Sequence, residues 1–236
     1  MGNLTVTELW MHMGGFARGI AITLILMSVA SFSIGFAKWL RFRRMAAATR
    51  VFAPEFSQAL EAENLTEALA LTETHKHSHV ARVLGESLRE VAPLLDDPRV
   101  AGAAITSAER SVEREQILLA NDLKSGMGLM ATVASTAPFV GLLGTTWGVI
   151  TAFTGMATSG GGIEAISAGI AEALITTAVG LIVAITAVWL YNYFNARMET
   201  LFTELAYAGR EMIDWMMTRQ ARREAKAGRA TAAAGH

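Results

Sequence analysis

Three stretches of the chain carry almost no polar side chains, and the charge lies in the stretches between them. Residues 19–37 hold no charged residue, yet Arg18 precedes them and Lys38, Arg41, Arg43 and Arg44 follow. Residues 127–157 and 166–195 repeat the pattern, and between Lys124 and Arg197 only Glu164 and Glu172 are charged. A bilayer core of about 30 Å takes roughly 20 apolar residues as a helix rising about 1.5 Å per residue. Each stretch therefore predicts a membrane-spanning helix. The basic cluster follows the first stretch instead of preceding it, as in a retained anchor and not a cleaved leader.

The flanking charges set the orientation. Lys38–Arg44 lies after the first span, and Arg197, Arg210, Arg219, Arg222, Arg223, Lys226 and Arg229 lie after the third. Basic residues stay on the cytoplasmic side, so three spans with the N-terminus outside and the C-terminus inside satisfy both clusters. The expected class is an all-α integral membrane protein with long helical cytoplasmic extensions. Its expected segments are an outer N-terminus 1–15, a first span 16–40, a cytoplasmic helical domain 41–126 and a second span 127–157. An outer turn 158–164, a third span 165–195 and a cytoplasmic helix and tail 196–236 complete it.

Within 41–126, Asn64 followed three residues later by Glu67 reads as a helix N-cap. Residues 80–91 read as a short amphipathic helix ending before Pro93. Asp97 and Pro98 offer a cap and a first helical residue, for a helix that should run directly into the second span. The Ala- and Gly-rich segment 225–236 reads as disordered. His75, His77 and His79 alternate, but with Glu73 the only carboxylate close by and no cysteine, a solvated polar turn fits better than a metal site.

In the second span Pro138 removes a helical hydrogen bond and should bend the helix. Gly141, Gly144, Gly148, Ala152 and Gly155 recur every three or four residues and leave one face nearly bare. Helices in lipid associate by close approach over such faces, so these glycines need no transport role. On the third span Ala165, Gly169, Glu172, Thr176, Gly180, Val183 and Ala187 fall on a matching face. Thr145 and Thr146 are the polar pair nearest the middle of the second span. Thr177, five residues from Glu172, is rotated well away from it on an isolated helix.

Composition sharpens this picture at few points. The 236 residues are 52% hydrophobic, with net charge −1 and no cysteine. That excludes disulfides and thiolate chemistry, and gives no reason to expect nucleic acid. No nucleophile–base constellation appears, so no catalytic residue, cofactor or metal ligand is assigned and an enzyme is not expected. What remains is Glu172. An acid at membrane depth costs roughly 2.5–3.5 kcal/mol on insertion scales, which makes it a functional-site hypothesis. The plainer alternative is a structural carboxylic acid, bonded to a hydroxyl on a neighbouring helix. One chain with three spans encloses little, so assembly through the small faces is expected.

Two runs carry a resemblance. The run from Ala134 to Ile150 (ASTAPFVGLLGTTWGVI) and that from Gly169 to Leu181 (GIAEALITTAVGL) resemble the signature of the MotA/TolQ/ExbB proton-channel family. Within it, Thr136-Ala137-Pro138-Phe139-Val140-Gly141-Leu142 reads closer to ExbB than to TolQ. The resemblance implies a homopentamer in the bacterial inner membrane whose second and third spans line a pore. That pore would hold the helices of two ExbD-like single-span partners, and the complex would drive a TonB-like protein for uptake across the outer membrane, such as that of iron siderophores. It makes Glu172 the family's intramembrane glutamate and Thr145 and Thr177 its pore-facing threonines. It leaves Pro138, Gly141, Gly144, Gly148, Gly169, Thr176 and Gly180 to pore lining or helix packing. Different faces can line one pore from adjacent copies, so the rotation of Thr177 is no obstacle. The family's prolines are replaced by Ala168 and Thr186, which should leave the third helix straighter. The alternatives are a TolQ-like subunit of the Tol-Pal envelope system, or a passive membrane scaffold that organises a partner's helix. A flagellar-type stator fits less well.

Overall fold

The computed structural model describes residues 13–95, 100–159 and 163–234. Every regular element among them is helical: α1 (Gly15–Glu61), α2 (Leu65–Thr74), α3 (His79–Val91), α4 (Ala101–Lys124), α5 (Met127–Ser159) and α6 (Ile163–Ala234), with a 3₁₀ turn at Ala92–Leu94. Gly15–Glu61, Met127–Ala157 and Gly169–Lys226 contain windows long and apolar enough to cross a membrane. The chain divides into two compact units. One comprises the residues up to Lys38 with Gly126–Phe194; the other comprises Trp39–Ser125 and the residues from Asn195 onward.

In the first unit the three apolar helices pack around Ile20 and Leu24 of α1, Val133 and Ala137 of α5, and Val183, Ala184 and Ala187 of α6. Their outer faces stay apolar: Leu26, Phe32 and Phe36 on α1, Phe139 and Phe153 on α5, and Ile182 and Trp189 on α6 are all exposed. A helix apolar all round, yet buried on one side only, is made for lipid or for further helices.

The second unit is built on amphipathic helices. In α3, Val80, Val83, Leu84, Ser87, Leu88 and Val91 are buried and follow the 3.6-residue period. They join a core that includes Phe52 stacked on Phe56 at 4.9 Å, Leu119, Leu123, Leu201 and Leu205. Two caps fix the short helices. Asn64 accepts from the Glu67 amide at 3.2 Å and Ser78 from the Ala81 amide at 3.1 Å. Asp122 of α4 is paired with Arg41 of α1 and, at 3.3 Å, with Arg82 of α3.

Two expectations are corrected here, the direct run of α4 into the second span and the disordered tail. α4 does not run into the second span: Ser125 and Gly126 interrupt it, and Gly126 takes φ +78°, a conformation open to glycine at no steric cost. α4 begins at Ala101 behind Val100, and the expected Asp97–Pro98 cap lies outside the described residues. The segment from 225 is helical as far as Ala234, because Ala, Lys, Arg and Glu are strong helix formers and outweigh Gly228, worth about 1 kcal/mol. α5 reaches Ser159 and α6 starts at Ile163, and 160–162 of the expected turn lie outside the described residues. α1 continues past residue 40 to Glu61 without a break at Pro54.

The histidine run divides as well. His75 is half-buried and pairs with Glu55 at 3.1 Å, but His79 is 1% exposed inside the second unit. Its Nε2 lies 3.2 Å from the Leu201 carbonyl, so that nitrogen carries the proton. Nδ1 is then an acceptor and takes the Thr49 hydroxyl at 3.0 Å, while Thr49 lies 2.8 Å from Ser78 Oγ. The chain of donors closes around a neutral ring. Burial pushes the His79 pKa down to about 4, the Leu201 carbonyl opposing and the Arg197 charge assisting.

Candidate functional site

The packing of α5 on α6 in the first unit fixes where Glu172 can point. Five close approaches run along the pair. A side chain on Gly141 would meet Thr177 Cα at 3.0 Å, and one on Gly144 would meet Thr176 Oγ1 at 2.5 Å. On Gly148 it would meet the Ala173 side chain at 2.8 Å, and on Gly169 that of Ala152 at 2.8 Å. Gly180 lies against the Ala137 carbonyl, where an added carbon would come within 2.8 Å of the oxygen. Gly155 meets nothing within 4 Å and is not part of the seam.

The line of α6 that faces α5 is thus Gly169, Ala173, Thr176 and Gly180. Glu172 stands beside this line and not at its centre, half-buried, and aims at the start of α1. Its Oε1 accepts the backbone N–H of Gly14 at 3.1 Å. The structural reading of Glu172 anticipated a hydroxyl on a neighbouring helix; the partner is a main-chain amide at a helix end. Close by in sequence, Phe16 of α1 and Trp147 of α5 bring their rings to 4.5 Å, tilted by 35°. Ile20 approaches Gly144, its Cδ1 lying 3.5 Å from where a side chain would start.

The threonines divide. Thr177 donates to the Gly141 carbonyl at 2.9 Å, a bond between α6 and α5. Thr145 and Thr146 both bond back to the Leu142 carbonyl of their own helix, at 2.8 and 2.9 Å. Thr176 is buried and bonds back to Ala173 at 2.7 Å. Among the described residues, no hydrogen bond joins Glu172, Thr145 and Thr177 to one another. Pro138 sits half-buried within α5, which continues through it to Ser159. Thr186, where the family's proline is missing, bonds back to Ile182 in an uninterrupted α6.

Sequence reasoning singled out Glu172 but not Gly14, because a backbone N–H has no residue-type signal. Thr132, Thr151 and Thr154 extend the run of α5 hydroxyls that bond back to their own helix. Such bonds leave each oxygen with a free lone pair and each hydrogen already placed. The site therefore consists of one carboxylate held at a helix start, in a unit whose α5 hydroxyls are committed to their own helix.

The model of the MotA/TolQ/ExbB proton channel family matches residues 75–206, which include α5 and the Glu172 segment of α6. The chain is similar to the Tol-Pal system protein TolQ of Pseudomonas aeruginosa, with 33% identity over 77% of this chain and 79% of that one. It is also similar to the biopolymer transport protein ExbB of Xanthomonas campestris pv. campestris strain B100, with 32% identity over 90% and 87%. The ExbB of Salmonella typhimurium strain LT2 is 31% identical over 81% and 78%. The chain is an all-α membrane protein and belongs to the MotA/TolQ/ExbB proton channel family.

Proposed function

We propose that the chain is the channel-forming subunit of an inner-membrane motor that draws on the proton motive force to energise TonB-dependent transport across the outer membrane. The observation that carries this reading is Glu172, an acid within the apolar run of α6, set at the edge of the α5–α6 seam. An acid inside an apolar span serves proton handling. One charge moving through 100 mV releases about 2.3 kcal/mol, so several protons per cycle can do mechanical work on a partner. In this reading the subunit is not an enzyme. Its N-terminus lies in the periplasm and its basic clusters in the cytoplasm.

The apolar outer faces of α5 and α6 are suited to neighbouring copies in a pentamer. The partners are then a single-span ExbD-like protein, two copies in the pore, and a TonB-like protein. Glu172 tunes or carries protons beside the partner's acid. The relative named ExbB over nine-tenths of the chain supports the TonB assignment. A second reading has its own support in the TolQ relative at comparable identity: the same motor acting in the Tol-Pal system.

The deciding experiment is proton flux in liposomes under an imposed potential, with the chain alone, with its single-span partner, and with Glu172→Gln. Flux that requires the partner and vanishes in the Gln variant is expected. Equal flux in the wild-type and Gln complexes would sink the assignment of Glu172. Which single-span protein co-purifies, and whether deletion impairs iron uptake or envelope integrity, separates the two systems.

A further inference from the structure

Gly14 is the N-cap of α1: its carbonyl accepts the first helical bond, from the Arg18 amide at 3.0 Å. A cap residue normally brings a side-chain oxygen for the first-turn amides, and a Glu at the third helical position returns to the cap's own N–H. This helix has neither. Gly14 has no side chain, and the first turn contains no acidic residue. The oxygen on the Gly14 N–H belongs instead to Glu172, 158 residues away on another helix. Glu172 does from α6 what a capping-box glutamate does within its own helix.

We infer that the start of the first span is the positioning element for Glu172, with Gly14 as the positioning residue. This inference rests on reading Glu172 as the proton-handling group. The geometry leaves the carboxylate little freedom. Ala173, its neighbour, is buried against Gly148, so the α6 backbone is held, and the Phe16–Trp147 ring contact ties the first turn of α1 to α5. An ionised carboxylate also gains from the partial positive charge of a helix N-terminus. A carboxylate that takes up a proton, or turns to a partner's group, is a weaker acceptor for this amide. Each time Glu172 changes state, the first turn of α1 loses its cap.

Other charged groups near this contact are few. α5 has no titratable side chain from Met127 to Ser159. α1 contributes Arg18, one turn inside its start, and α6 contributes Glu164 earlier in its sequence. Glu8 and His12 precede Met13 in the chain.

Hydrogen exchange of the assembled complex tests the contact without measuring flux, so this inference and the proton-handling reading can fail separately. In Glu172→Ala, the Gly14 amide should exchange about tenfold faster or more, as expected for losing a charge-assisted hydrogen bond. Peptides from α5 should keep their wild-type protection. Wild-type exchange at the Gly14 amide in that variant would overturn the inference. The positioning role is tested by two prolines. Gly14→Pro deletes the N–H that Glu172 accepts, whereas Gly15→Pro deletes the next one at a position where helices accept proline. In complexes with the partner, Gly14→Pro should displace the pH profile of proton flux and Gly15→Pro should leave it in place. Superimposable pH profiles for the two variants would show that the contact is structural only.

Discussion

Acidification should loosen the second unit through one side chain, His79. Its ring is buried as the neutral form, with a pKa near 4 against 6.5 for the free side chain. Between those values the opened unit binds more protons than the closed one, so stability falls as the pH falls. At pH 7 the closed form is neutral and the opened form is only about one-quarter protonated, so the penalty is about 0.2 kcal/mol. At pH 5 the closed form still excludes the proton while the opened form has taken it up, and the two values give a loss of about 2 kcal/mol. That is roughly a 30-fold rise in the population of the opened state. The pKa values of Asp122 and Glu90 are lowered, chiefly by hydrogen bonds from Arg41 and Arg114 respectively. Both carboxylates stay charged through this window and lose their pairing only at lower pH.

The assay is hydrogen exchange of peptides from α3 and from α6 around Leu201, corrected for the intrinsic pH dependence of exchange, at pH 7 and pH 5. His79→Gln keeps a donor for the Leu201 carbonyl but cannot take up a proton. The variant will be less stable at both values because Thr49 loses its acceptor. Its exchange should nevertheless have the same corrected rate at pH 5 and pH 7. An equal acid-induced rise in the wild type and in His79→Gln would refute the assignment, as would no rise in the wild type.

Three further outcomes follow from the packing. Gly180→Ala places a carbon 2.8 Å from the Ala137 carbonyl, a backbone atom that cannot turn aside. It should lower the thermal stability of the purified complex by about 1–3 kcal/mol, whereas Gly155→Ala, in open space, should not. Gly126→Ala combines φ +78° with a contact of 3.1 Å to Ile34 Cγ2. A cost of about 1–2 kcal/mol is expected, read as a lower midpoint in size-exclusion thermostability. Thr177→Val removes the bond to the Gly141 carbonyl and should cost about 0.6 kcal/mol, the usual worth of an interhelical bond in membranes, in the same assay. Flux lost in Thr177→Val without loss of stability would instead mark the hydroxyl as part of the proton path.

The spans were legible because their signal is local: an uncharged stretch and a basic flank need no knowledge of a partner. The small-residue seam was partly legible for the same reason. Periodicity found Gly141, Gly144, Gly148, Gly169 and Gly180, but it also drew in Gly155, which meets no neighbour. It put Glu172 on the packing face because a three-and-four period cannot tell position 172 from position 173. Contact decides that, and Ala173 is the residue pressed on α5. His79 was misread for a different reason. Its neighbours His75 and Lys76 are polar, but its fate depends on Thr49 and on a carbonyl at Leu201, 122 residues away. The helical tail was misread by weighing the glycines above the alanines.

What Glu172 can do in one chain is narrower than the family name suggests, and the geometry says where the remainder must come from. Its acceptor capacity is partly taken by Gly14, and Thr145 and Thr146 of α5 have already given their hydrogens to a carbonyl of their own helix. A proton arriving there has no continuous chain of donors to follow within the described residues. Two supplies would complete one: water in a space enclosed by several copies, or an ionisable group on a helix from outside the chain. Both require the exposed apolar faces of α5 and α6 to be covered by protein, since lipid offers neither. Flux through the chain should therefore depend on assembly more strongly than on any single hydroxyl. Threonine-to-valine changes at Thr145 or Thr146 that leave assembly intact should reduce flux less than removing the single-span partner does. The opposite order would mean that a single subunit contains its own conducting path.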